Sequence, residues 1–160
     1  MKHNSGFLML VDAARMRVKE CTVAQAKARL DRGEALHFLD VREDHEFAKD
    51  HAKGARHLGK GIIERDVETL ISHKEEAIVL YCGGGYRSVL AADALQHMGY
   101  TNVMSMDGGI KGWRDAGYPM EHRWDLERPR SHMHWITNSR RRFGGLFAVD
   151  SIELLDHLVG

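Results

Sequence analysis

The stretch YCGGGYRS, residues 81–88, gathers the side chains of this chain best suited to covalent chemistry. A thiol, three consecutive glycines, an arginine and a serine lie between an apolar run, AIVLY at 77–81, and RSVLAADALQHMG at 87–99, which has helical spacing. Glycine weakens regular structure, so three in a row need a reason other than packing. A loop entering a helix can curl so that successive backbone N–H groups converge on one centre and bind an anion. Cys82 opens such a loop. Inward amides, the positive helix end and the Arg87 guanidinium would all favour its thiolate over its thiol. Ser88 can add a hydroxyl donor. The product is a nucleophilic sulfur beside an anion pocket. Two plainer readings compete with it. In one, Gly83–Gly85 are a flexible turn, Cys82 a small buried hydrophobe and Arg87 a solvated helix residue. In the other, the loop cradles a nucleotide phosphate, yet neither Gly-Lys-Ser/Thr nor Gly-x-Gly-x-x-Gly is present. Cysteine, four residues, arginine and serine between a strand and a helix favour the thiolate site.

The elements that must position this loop alternate in type. Residues 5–17 read as a short amphipathic helix with Leu8, Val11 and Met16 on one side. Thr22 with Gln25 is a capping-box signature for a helix that should end at Gly33. ALHFLDV, 35–41, reads as a buried strand with Asp40 and Arg42 at its carboxyl end, followed by a helical piece near 43–49. Residues 66–73 look helical, AIVLY is the strongest strand, NVMSM at 102–106 is another, and IKGWRDAG at 110–117 is a short helix. Such alternation implies crossover connections and a mostly parallel sheet, with ligands bound beyond the carboxyl ends of its strands. The Cys82 loop sits at such an end.

Composition sets the outer limits. The 160 residues are 43% apolar, enough for one core and a tail of some length. Lysine plus arginine and aspartate plus glutamate number 23 each, a balance that argues against nucleic acid as a partner. Two cysteines, Cys21 and Cys82, are too few for a disulfide framework or a four-thiolate metal site and read as reduced cytoplasmic thiols. No apolar run reaches the roughly 20 residues of a membrane helix, and FLMLV at 7–11 is too short for a signal-peptide core.

At these residues the chain resembles a single-domain rhodanese, the sulfurtransferase family. FLDVRE at 38–43 is similar to the family's strand ending in Asp-Val-Arg, and HAKGARHL at 51–58 to its His-x-x-Gly-Ala segment, which runs into a short strand. YCGGGYRS is similar to its active-site loop, and MDGGIKGWRDAGYPM at 106–120 to its closing Gly-Gly…Gly-Trp segment. The motifs keep the family's order and spacing across about residues 20–120. The resemblance implies a rhodanese-like three-layer α/β fold, with a mostly parallel five-stranded sheet and helices on both faces. It makes Cys82 the sulfur-accepting nucleophile. Gly83, Gly84, Gly85, Tyr86, Arg87 and Ser88 become the surrounding substrate-binding loop, with Arg87 closing it electrostatically. Asp40 and Arg42 become near-site structural residues. No metal or organic cofactor is implied. The expected partners are a small-molecule sulfur donor, such as thiosulfate or another persulfide, and a thiophilic acceptor, either cyanide or a thiol, which a protein could carry. The rival function is a non-catalytic carrier or sensor that docks a partner protein. A phosphatase of the same fold ranks lower, because phosphatase loops are one residue longer than Gly83–Tyr86.

The remaining candidates read as structural. Cys21, just before the capping Thr22, is expected to be a partly buried thiol rather than a resolving one. His51 and His57 are expected to hydrogen-bond, and Trp113 to pack in the core. The rhodanese-like domain is placed at 1–121 and an extension at 122–160. In the extension, the His-x-His of HMHW (132–135) lacks a third metal ligand and SRRRF (139–143) reads as a solvated basic patch. An amphipathic helix at 150–159 could dock on its own domain or on a second copy, giving a dimer.

Overall fold

The computed structural model describes residues 2–122. Helix α1 (Ser5–Arg15) leads into β1 (Lys19–Cys21), α2 (Val23–Asp31), β2 (Leu36–Asp40), α3 (Asp44–Lys49), β3 (His51–Ala52) and β4 (Arg56–His57). Then come α4 (Ile63–Leu70), β5 (Ala77–Tyr81), α5 (Tyr86–His97), β6 (Val103–Met106), α6 (Gly109–Asp115) and β7 (Met120–Glu121). Five strands form a parallel sheet in the order β1-β6-β5-β2-β4, while β3 and β7 pair antiparallel as a separate ribbon. The expected α/β class and five-stranded sheet are what the chain forms.

Alternation along β5 divides the core. Ile78, Leu80 and Cys82 pack with α1, α4 and α5, whereas Val79 and Tyr81 pack with α2 and α6. Successive strand side chains point to opposite faces, so helices cover both sides and the sheet is buried, as a parallel sheet requires. Cys21 belongs to the α2/α6 core and Cys82 to the other, so the sheet separates the two thiols. Burial pushes the Cys21 thiol above its ordinary value, the behaviour of an inert buried cysteine.

The capping box forms as read. Thr22 Oγ1 accepts from the Gln25 amide at 3.1 Å, and Gln25 Oε1 accepts from the Thr22 amide at 2.9 Å. Two expectations need correction. Met16 is exposed, and the buried residues of α1 are Val11 and Ala14, with Phe7 packed beside them. The helix expected at 66–73 is α4, starting three residues earlier because Ile63 and Val67 fill the core. Strand β1 was not legible, because only one of its three residues is apolar. Among the described residues no helix is long and apolar enough to cross a membrane. The His-x-His pair, the basic patch and the 150–159 helix lie outside the described residues.

Candidate active site

Asp40 and Arg42 fix the floor beside the loop. Both are buried and joined through two guanidinium nitrogens, with Nη2–Oδ2 at 2.7 Å and Nε–Oδ2 at 3.0 Å. Arg42 also donates to the Asp50 carbonyl at 2.6 Å, tying the end of β2 to the end of α3. The Tyr81 hydroxyl accepts from the Ala52 amide at 3.1 Å and links β5 to β3. Burial, with the Asp40 charge second, pushes the Tyr81 phenol above its ordinary value, so it stays neutral. These residues do structural work beside the loop and do not line its cavity.

Cys82 follows β5 directly and is almost fully buried. Its Sγ accepts from the Gly85 amide at 3.2 Å and from Ser88 Oγ at 3.6 Å. Ser88 is itself oriented by Ser105 Oγ, which donates to it at 2.8 Å from β6. Both contacts tie the sulfur to the start of α5. Gly85 is the residue before α5 and has φ +99°, a conformation that side chains resist. The turn therefore aims the helix start at the sulfur.

The remaining amides are aimed by α6. Its Ile110 amide donates to the Cys82 carbonyl at 2.8 Å, and its Lys111 amide to the Gly83 carbonyl at 3.2 Å. A trans peptide points its C=O and the following N–H in opposite directions. Anchoring both carbonyls on α6 thus turns the Gly83 and Gly84 amides away from it. Among the described residues neither amide has an acceptor. Gly109 makes this contact possible, since a Cβ there would lie 2.4 Å from the Cys82 carbonyl oxygen.

Arg87 has a partner that its sequence neighbourhood does not announce. Its guanidinium crosses Gly83, where a Cβ would meet Nη2 at 3.3 Å, but it forks onto Glu46 of α3 at 2.6 and 2.9 Å. Glu43 stands 3.7 Å away. The Arg87 hydrogen bonds hold the Glu46 carboxyl down at about 2, so the pair stays ionised. Arg87 is therefore a brace between α5 and α3, and its charge is largely answered before any substrate arrives. Sequence reasoning missed Glu46, which is 41 residues from its partner and carries no local signal.

The loop opens into a cavity of about 1000 Å³ that Cys82, Gly83, Gly84, Tyr86 and Arg87 line from the inside. His45, Glu46, Lys111 and the N-terminal residues Lys2, His3, Asn4 and Phe7 complete its lining, and none of these seven was expected at the site. His51 and His57 stack on the two sides of Phe47, at 3.9 and 4.7 Å, and bond to the Phe47 and Arg42 carbonyls. Trp113 is buried and donates to the Pro119 carbonyl at 2.9 Å. The two histidines thus hydrogen-bond and Trp113 packs in the core, as expected of them. Among the described residues no group of three metal-ligating side chains comes together.

Comparison with known proteins agrees with this geometry. The rhodanese-like domain family matches residues 22–116. YtwF of Bacillus subtilis, provisionally a sulfurtransferase by name, is 34% identical over 104 residues, which are 65% of this chain and 98% of YtwF. YrkF of the same organism, provisionally a sulfur carrier protein, is 30% identical over 60% of this chain, which spans about half of YrkF's length. A solved structure from Rhodopseudomonas palustris, of unknown function and described as a possible tyrosine phosphatase, superposes with a TM-score of 0.68 at 28% identity. That superposition covers 76% of this chain and 98% of the other. By its matched residues, its parallel sheet and the loop at the end of β5, this chain belongs to the rhodanese-like domain family.

Proposed function

We propose that the domain, residues 1–121, is a sulfurtransferase that carries sulfane sulfur on Cys82. The observation that carries the reading is the pair of unpartnered amides, Gly83 and Gly84, turned away from α6 beside a sulfur that already accepts two hydrogen bonds. In the first step the Cys82 thiolate attacks the outer sulfur of a donor such as thiosulfate. A bond forms from Sγ to that sulfur, and the donor's S–S bond breaks with its electron pair leaving on sulfite. The charge then rests on the terminal sulfur of a Cys82 persulfide, where unsatisfied amides stabilise it as an oxyanion hole stabilises oxygen. In the second step cyanide or an acceptor thiolate attacks that terminal sulfur, and the electron pair returns to Sγ, restoring the thiolate. No proton transfer by a side chain is needed in either step. Ser88 supports the resting thiolate, and Arg87 with Glu46 holds the loop against α3. A phosphoryl group would need a wider ring than the four residues Gly83–Tyr86 enclose.

The likeness to YrkF favours a second reading, a carrier that loads Cys82 and releases sulfur only to a protein acceptor. Thiocyanate formation from thiosulfate and cyanide separates the two. The enzyme reading expects turnover by the intact chain and none by Cys82→Ser. Turnover surviving in Cys82→Ser would refute both readings, and stoichiometric loading without turnover would favour the carrier.

A further inference from the structure

The family match begins at residue 22, yet four residues before it, Lys2, His3, Asn4 and Phe7, line the cavity of the candidate site. Helix α1 is fixed against α5 by Val11 and Ala14 and by Arg17, which grips Asp93 through two contacts at 2.9 and 2.8 Å. So anchored, it carries Phe7 to within 6.3 Å of the Tyr86 ring and His3 to within 4.5 Å, while His3 and Phe7 lie 5.2 Å apart. Three rings thus make one wall, and one of them belongs to the loop that holds Cys82. Lys2 extends the wall and has no acidic partner among the described residues. Glu46, the acid lining the cavity, is already answered by Arg87.

The cavity is at the upper end of what binds whole organic ligands. It is far larger than one small oxyanion needs. We infer that Lys2, His3 and Phe7 are specificity-determining residues, selecting as sulfur donor a small organic persulfide whose body carries a carboxylate. The apolar part of the body lies on the three-ring wall and the carboxylate faces Lys2. This rests on the sulfur-transfer reading and adds the substrate class to it. The transfer itself forms the bond from Cys82 Sγ to the donor's terminal sulfur and breaks the donor's S–S bond. The electron pair leaves on the organic thiolate.

The probes are glutathione persulfide, with two carboxylates and one ammonium group, and cysteamine persulfide, with one ammonium group and no carboxylate. Second-order rates of sulfur loading onto Cys82 are followed by mass spectrometry in the intact chain, in Lys2→Glu and in His3→Ala. Wild type is expected to prefer glutathione persulfide. Lys2→Glu should cut that preference about five-fold or more, since a charge reversal exceeds the loss of one exposed ion pair. Added salt should erode the preference in wild type and much less in Lys2→Glu. His3→Ala should lower the glutathione persulfide rate more than the cysteamine persulfide rate. Equal preference in all three proteins would overturn the inference while leaving sulfur transfer standing. Loading of Cys82 by neither donor, nor by thiosulfate, would overturn both together.

Discussion

The loop's dependence on α6 can be tested at Gly109, which never meets substrate. A Cβ at this position would sit 2.4 Å from the Cys82 carbonyl oxygen and 2.8 Å from the carbonyl carbon and oxygen of Gly83. All three atoms are backbone, so no rotamer change relieves the collision. Restoring ordinary contact near 3.4 Å needs a shift of about 1 Å between α6 and the loop. That shift weakens the Ile110–Cys82 and Lys111–Gly83 hydrogen bonds, at about 1 kcal/mol each. The backbone angle of φ +53° adds about 1 kcal/mol for any side chain. Gly109→Ala should therefore cost about 3 kcal/mol and lower Tm by about 10 °C.

Gly99→Ala is the control, because Gly99 has φ +95° with nothing within 4 Å of its Cβ position, leaving only the conformational cost. Thermal unfolding by circular dichroism gives the stability difference, and the rate at which iodoacetamide alkylates Cys82 reports the loop. The Gly109 variant should melt well below the Gly99 variant and alkylate at a changed rate. Equal melting temperatures, with alkylation as in wild type, would refute the coupling of loop to helix.

The ion pairs give two further expectations. The folded value of Glu46, about 2, lies below its ordinary 4.5, so its carboxylate stabilises the fold above about pH 4.5 and that contribution fades as pH falls toward 2. Denaturant titrations at pH 6 and pH 3 should show wild type losing up to about 2 kcal/mol more than Glu46→Gln over that interval; equal losses would contradict the pairing. Arg42→Ala should cost about 3 kcal/mol or more, because it strands the Asp40 carboxylate in the interior. An unchanged urea midpoint would show that Asp40 finds another partner or takes up a proton.

Strands β2, β5 and β6 and the loop were legible because their signals are local. AIVLY is apolar throughout and bounded by charge and glycine, and the Thr22–Gln25 cap needs only three residues of spacing. The Gly-Gly pair at 108–109 was visible as a motif, but its role was not. That role depends on a backbone approach between segments 26 residues apart in number. Arg87 was read as the loop's electrostatic closure, and the structure adds Glu46 as the partner that holds it over Gly83. Nothing in the spacing of α3 reveals which residue it will face. The aromatic wall was hidden for the same reason. Phe7 looks like one residue of a simple amphipathic helix, and His3 like its flank, until α1 docks on α5 and both rings stand against Tyr86.

The most direct measurement is the mass of the Cys82 peptide after brief exposure of the intact chain to thiosulfate or glutathione persulfide, followed by digestion without reductant. A gain of one sulfur atom on the peptide containing Cys82, reversed by cyanide and absent from the Cys21 peptide, is the predicted result. Sulfur found on Cys21, or a Cys82→Ser protein that still moves sulfur to cyanide, would contradict it.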